Sequence, residues 1–89
     1  MKQHLNIKIY GLVQGIFFRA TAKKQAEKLN ITGFARNEPD GSVYIEAEGE
    51  KNNLDKFIKW CNKGPSMAEV EKVIIEESKL QNFPNFEIY

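Results

Sequence analysis

Leu5-Asn6-Ile7-Lys8-Ile9-Tyr10-Gly11-Leu12-Val13-Gln14-Gly15-Ile16-Phe17-Phe18-Arg19 carries the chain from a strand, through a turn, into a helix. Leu5, Ile7 and Ile9 alternate with Asn6, Lys8 and Tyr10, a period of two that gives a strand one apolar face. Beyond the glycines the period changes. Phe18, Ala22, Ala26 and Leu29 recur at helical spacing, and Lys23, Lys24, Glu27 and Lys28 fill the other side. A glycine turn between a strand and a helix suits a small anion. Successive N–H groups in such a turn converge on one point, and a helix N-terminus adds unpaired donors with a partial positive charge. Arg19 brings a permanently charged planar fork that can bind two phosphate oxygens together.

Working outward, Asn30 and Gly33 bracket the end of the first helix, and Phe34-Ala35-Arg36-Asn37 reads as a short strand. Glu38-Pro39-Asp40-Gly41 is turn chemistry, after which Val43, Ile45 and Ala47 alternate with Tyr44, Glu46 and Glu48 as the return strand of a hairpin. Leu54, Phe57, Ile58 and Cys61 form a second helical stripe, with Asn52 or Asn53 as its expected cap and Gly64-Pro65 as its stop. The β-branched run from Val70 to Ile75 reads as a strand, and Phe86 with Ile88 as a short final edge. The order βαββαβ predicts an α+β ferredoxin-like sandwich, an antiparallel sheet with two helices on one face. That fold hosts many unrelated functions and by itself selects none of them.

The bulk properties narrow the choice. Residues 1–89 are expected to form a single domain. An apolar fraction of 42%, a charged fraction of 28% and a net charge of +1 offer no general attraction to nucleic acid or to an anionic membrane. A lone cysteine, Cys61, cannot close an internal disulfide or build a zinc site. The N-terminal residues lack the apolar core of a signal peptide, and no segment is long and apolar enough to span a bilayer. The expectation is a cytoplasmic protein.

A second stretch matters as much as the first: Gly33-Phe34-Ala35-Arg36-Asn37-Glu38-Pro39-Asp40-Gly41-Ser42-Val43, followed by Gly49. Gly11-Leu12-Val13-Gln14-Gly15-Ile16-Phe17-Phe18-Arg19 together with this stretch resembles the two signature patterns of the acylphosphatase family. Gly64-Pro65-Ser66, with Ala68, Val70 and Val73, and the terminal Phe86-Glu87-Ile88-Tyr89, resemble that family's C-terminal third. The resemblance implies a hydrolase that converts an acyl phosphate to a carboxylate and inorganic phosphate. It carries the family's catalytic arginine onto Arg19 and its catalytic asparagine onto Asn37. It also carries a phosphate cradle onto the backbone N–H groups of Val13, Gln14, Gly15, Ile16, Phe17 and Phe18. Many relatives have a threonine where this chain has Ala22, and Thr21, one place earlier, is a further candidate substrate contact. No cofactor and no metal are implied; the expected partner is a small-molecule acyl phosphate, and the protein is expected to be a monomer.

The chemistry agrees with that resemblance. An acyl phosphate is a mixed anhydride whose leaving group, a carboxylate, needs no proton. Phosphoryl transfer to water then rests on positioning and on stabilising charge at the equatorial oxygens. Arginine and loop amides suit the second task, and an asparagine, with both donor and acceptor, can orient a water. Read alone, Arg19 would be a solvated helix-start residue and Asn37 a turn residue. Phe17 and Phe18 read as core anchors of the loop, with Phe17 able to face the acyl group. His4 reads as structural and Cys61 as a core filler, Glu46 and Glu48 as solvated surface, and Gly49 as a turn glycine. One histidine leaves no Ser-His or Cys-His pair to assemble.

Two rivals share the fold. An RNA-recognition module would stack bases on the open sheet face, where this sequence sets Tyr44, Glu46 and Glu48 in line. A non-catalytic small-anion-binding or regulatory domain would keep the anion loop and have no use for an amide placed to hold water.

Overall fold

The computed structural model describes residues 1–89. The elements are β1 (Lys2–Leu12), α1 (Phe18–Lys28), β2 (Thr32–Asn37), β3 (Val43–Glu50), α2 (Lys51–Lys63), β4 (Glu69–Ser78) and β5 (Phe86–Ile88). They build one sheet in the order β4-β1-β3-β2-β5. Its core is one-sided. Ile7 and Ile9 of β1, with Val43, Ile45 and Ala47 of β3, are buried against Phe18, Ala22 and Ala26 of α1 and Leu54, Phe57 and Cys61 of α2. Alanines on the inner face of α1 let that helix lie close to the sheet, and burial pushes the Cys61 thiol up from its ordinary value.

The βαββαβ sandwich is the predicted one, with one difference in strand direction. β1 pairs antiparallel with β3 and β4, and β2 antiparallel with β3. The final strand is parallel to β2, matching Gly33 with Phe86 and Ala35 with Ile88, so the sheet is mixed. The reason is the path of the chain. β4 ends where Ser78 opposes His4, and residues 79–85 cross the open face at that end before entering the far edge beside Gly33. From there the chain can only run alongside β2 in the same direction.

Other expectations shift as well. α2 follows β3 without a gap, so Asn52 and Asn53 lie inside its first turn and the cap position falls on Glu50, which is extended and makes no side-chain cap bond. Gly64, at φ 70°, ends that helix with its N–H donating to the Trp60 carbonyl at 2.7 Å. Gly49 is not in a turn. It lies within β3, where an added Cβ would approach Ile31 Cγ1 to 3.2 Å.

Glu48 is not solvated surface either. It is 1% exposed, as is His4 opposite it in the β1–β3 register. His4 Nδ1 lies 2.7 Å from Glu48 Oε2, and His4 Nε2 lies 2.9 Å from Glu46 Oε1. The Tyr44 hydroxyl donates to Glu46 Oε2 at 2.8 Å, and burial together with that contact pushes the phenol up to about 12. Glu48 also accepts the amides of Gln81 and Phe83, the latter at 3.1 Å, so one carboxylate holds the crossing segment onto the open face. The Phe83 ring covers the cluster, 5.7 Å from His4 and 5.8 Å from Phe34 between centroids.

Burial pushes the Glu48 carboxyl up, but the Gln81 amide, the His4 ring and the Phe83 amide outweigh it, and the net direction is down. A depressed carboxyl contributes stability above its unfolded value, about 4.3, that is lost as pH falls through the folded value. Glu48→Gln is therefore expected to cost about 3 kcal/mol at neutral pH, the scale for removing one partner of a buried pair. Urea unfolding midpoints for both proteins between pH 7 and pH 3 check this. The gap should narrow below pH ~4, and a pH-independent gap would contradict it.

Candidate active site

Between β1 and α1 the backbone does something unusual. Gly15 has φ 76°, and Phe17, a residue with a bulky side chain, has φ 63° and ψ 26°. Left-handed residues alternating with ordinary ones turn successive N–H groups toward a common point. None of the backbone amides of residues 13–20 donates to an acceptor within the chain, and the first to do so is Thr21, to the Phe17 carbonyl at 3.0 Å. No side chain caps α1. A run of unpaired donors at a helix start is an anion receptor.

The loop is held from both ends. Upstream, β1 bulges between Tyr10 and Gly11. A Cβ at Gly11 would sit 2.0 Å from the Glu69 carbonyl oxygen, so only glycine lets β1 and β4 approach there. Downstream, Phe18 is buried, with its ring 5.2 Å from that of half-buried Trp60. Phe17 departs from its expected role as a core anchor: it is 81% exposed, because the left-handed backbone that shapes the loop aims its side chain outward.

Asn37 is the last residue of β2, opposite Val43. It belongs to the same alternating set as Ala35, the set that faces the helices, which brings it beneath the start of α1. Arg19, in the first turn of α1, donates from Nη1 to the carbonyl oxygen of Tyr89, and the Tyr89 amide is itself fixed to the Ala35 carbonyl at 2.9 Å. Val13, Gly15, Phe17, Phe18, Arg19, Ala20, Asn37 and Ile88 line one concavity of about 260 Å³. Its walls combine cationic and amide groups with apolar surface from Val13, Phe17, Phe18 and Ile88.

Of the sequence-derived candidates, Arg19, Asn37, Val13, Gly15, Phe17 and Phe18 meet at this concavity. Gln14 and Ile16 complete the loop, and the Gln14 side chain turns away to the β2–β3 turn. Thr21 is not brought into the wall. Its hydroxyl donates back to the Phe17 carbonyl at 2.8 Å, the usual destination for a threonine hydroxyl one turn into a helix. Two contributors were read from the sequence as a terminal edge and not as site residues. Ile88 and Tyr89 reach the site only because β5 runs parallel beside β2.

Comparison with known proteins agrees over nearly the whole chain. The family profile described as acylphosphatase matches residues 5–88. An acylphosphatase of Acaryochloris marina is 45% identical over 80 residues, covering 90% of this chain and 86% of the relative. Among solved structures, an acylphosphatase from Coxiella burnetii superposes with a TM-score of 0.95 at 32% identity, over 99% of this chain and 93% of that one. The crystal structure of acylphosphatase from Bacillus subtilis gives 0.94 at 33% identity, over 100% and 99%.

The unpaired amides supply a direct test. Titrating inorganic phosphate should move the amide resonances of residues 14–20 and leave those opening α2 in place. Gly15→Ala meets no neighbouring atom yet must hold a positive φ, which costs roughly 1–2 kcal/mol. It should weaken phosphate binding in the same titration without unfolding the protein.

Proposed function

Because the chain belongs to the acylphosphatase family and hydrolyses acyl phosphates to a carboxylate and inorganic phosphate, we propose that Arg19 and the loop amides hold the phosphoryl group while Asn37 holds the attacking water. The observation that carries this reading is the convergence of an unpaired amide run, a guanidinium and a side-chain amide on one concavity. Asn37 lines the concavity and no hydrogen bond within the chain occupies its side chain, so both its donor and its acceptor are free for water.

The steps follow from the chemistry of a mixed anhydride. The water oxygen bonds to phosphorus, the bond between phosphorus and the acyl oxygen breaks, and its electron pair leaves on the carboxylate. The water's proton passes to a phosphate oxygen or to solvent, since an amide is no base. Charge on the equatorial oxygens is met by Arg19 and by amides already fixed in place, so little reorganisation is needed at the moment of reaction. The Tyr89 carbonyl holds the guanidinium at one nitrogen, leaving the remaining donors of the fork for phosphate. The apolar wall of Val13, Phe17, Phe18 and Ile88 receives the acyl group.

We extend the reading to the whole molecule. The site is complete within one chain, which suits a monomer of one domain. The near-neutral charge disfavours nucleic acid as a partner, and the free, buried Cys61 fits a reducing cytoplasm.

Hydrolysis of benzoyl phosphate, followed in the ultraviolet with chelator present, tests the assignment. Arg19→Ala is expected to lose at least the ~10²–10³-fold typical of one charge-stabilising donor. Arg19→Lys should also be severely impaired, because a point charge does not reproduce the fork. Asn37→Ala should lose turnover while still binding inorganic phosphate. Near-normal turnover in Asn37→Ala would assign the water to another group.

A further inference from the structure

We propose that the Gln14 side chain is a positioning residue that sets the distance between the phosphate loop and Asn37; this rests on the roles proposed above for the loop and for Asn37. Those groups sit on separate elements, β1–α1 and the end of β2, and the reaction requires their separation to be fixed. Gln14 Nε2 donates to the carbonyl oxygens of Glu38 at 2.8 Å and Ser42 at 2.9 Å. No other hydrogen bond joins residues 13–17 to residues 37–42.

The two acceptors are not arbitrary points on the turn. The last rung of the β2–β3 ladder is Asn37 opposite Val43, and Glu38 and Ser42 are the residues immediately beyond it on either strand. The turn they close is already rigid. Glu38 N–H donates to the Ser42 carbonyl at 2.9 Å, Gly41 N–H donates to the Glu38 carbonyl at 3.1 Å, and the Asp40 carboxylate accepts the amide and hydroxyl of Ser42. The Ser42 donors also hold the Asp40 carboxyl below its usual range. Gln14 thus clamps the loop to a stiff platform whose edge carries Asn37.

A primary amide is the side chain that fits. Both acceptors are carbonyls, so the NH2 end must face them, and each of its two hydrogens finds one oxygen. A glutamate of equal length has no donor and would face two carbonyl oxygens with negative charge. A lysine ammonium retains donors that can reach both. Gln14 is itself exposed, so removing its side chain leaves no buried cavity.

The test is a kinetic cycle on benzoyl phosphate with Gln14→Ala, Gln14→Glu, Gln14→Lys, Asn37→Ala and the Gln14→Ala/Asn37→Ala double variant. Inorganic phosphate serves as the competitive probe of the loop. Gln14→Ala and Gln14→Glu should lower kcat by about 10- to 100-fold, the scale for an ångström of misplacement. Their KM and the phosphate inhibition constant should stay within about three-fold, since the loop amides are untouched, and Gln14→Lys should recover part of kcat. In the Asn37→Ala background the further loss from Gln14→Ala should all but vanish, because the group being positioned is gone.

A rise in KM with kcat intact, or a full additive penalty in the double variant, would overturn the proposal. Unchanged kinetics in Gln14→Ala would overturn it as well. The underlying assignment fails by a different signature, namely Asn37→Ala alone turning over normally.

Discussion

Everything at the site depends on a short piece of backbone that passes from β1 to α1 while keeping its N–H groups free. An ordinary strand-to-helix connection would satisfy those donors with a capping side chain or with neighbouring carbonyls. Here Gly15 and Phe17 take positive φ, and no acceptor in the chain meets the loop amides. A loop of that kind is poor at holding itself together, because its own hydrogen bonds are withheld. Its shape has to come from outside. Gly11 lets β1 meet β4 closely, Phe18 locks into the core, and Thr21 ties the Phe17 carbonyl into the helix. The cost of preorganisation is thus met by the scaffold, which is where an enzyme that relies on fixed dipoles needs it.

The opposite face of the sheet serves the site indirectly. The His4–Glu48 pair is buried under residues 79–85, and Glu48 takes two amides of that segment. This contact lets the chain cross from one edge of the sheet to the other and enter β5 beside β2. β5 then supplies Ile88 to the concavity and leads to the Tyr89 carbonyl that orients Arg19. A charged cluster on the far face of the sheet therefore fixes the route by which Tyr89 reaches Arg19. Its members are mutually satisfied, with no buried side-chain polar atom left without a partner.

Much of this was legible in order of residues. The alternation of Ile7 and Ile9 and of Val43 and Ile45, and the helical recurrence of Phe18, Ala22 and Ala26, are local periodicities set by covalent geometry. They give elements and faces without knowledge of neighbours. The failures share one cause. Glu48 alternates outward on its strand and reads as solvated, but a distant segment covers it. Phe17 reads as core by hydrophobicity, but its backbone conformation points it to solvent. In each case a partner remote in sequence, or a dihedral angle, decided what composition could not.

The sequence by itself determined the element order, the apolar faces and, through two long motifs in register, the family. Those are properties of local spacing, and local spacing is what a sequence records directly. Only the tertiary structure decided that β5 runs parallel to β2, that Tyr89 and Ile88 belong to the site, and that Gln14 reaches across to Glu38 and Ser42. These contacts join residues far apart along the chain, and which of them form depends on how the strands stack once the core has closed around Phe57 and Ile45. A residue's partners across the sheet are fixed by that packing, and no spacing along the chain encodes it.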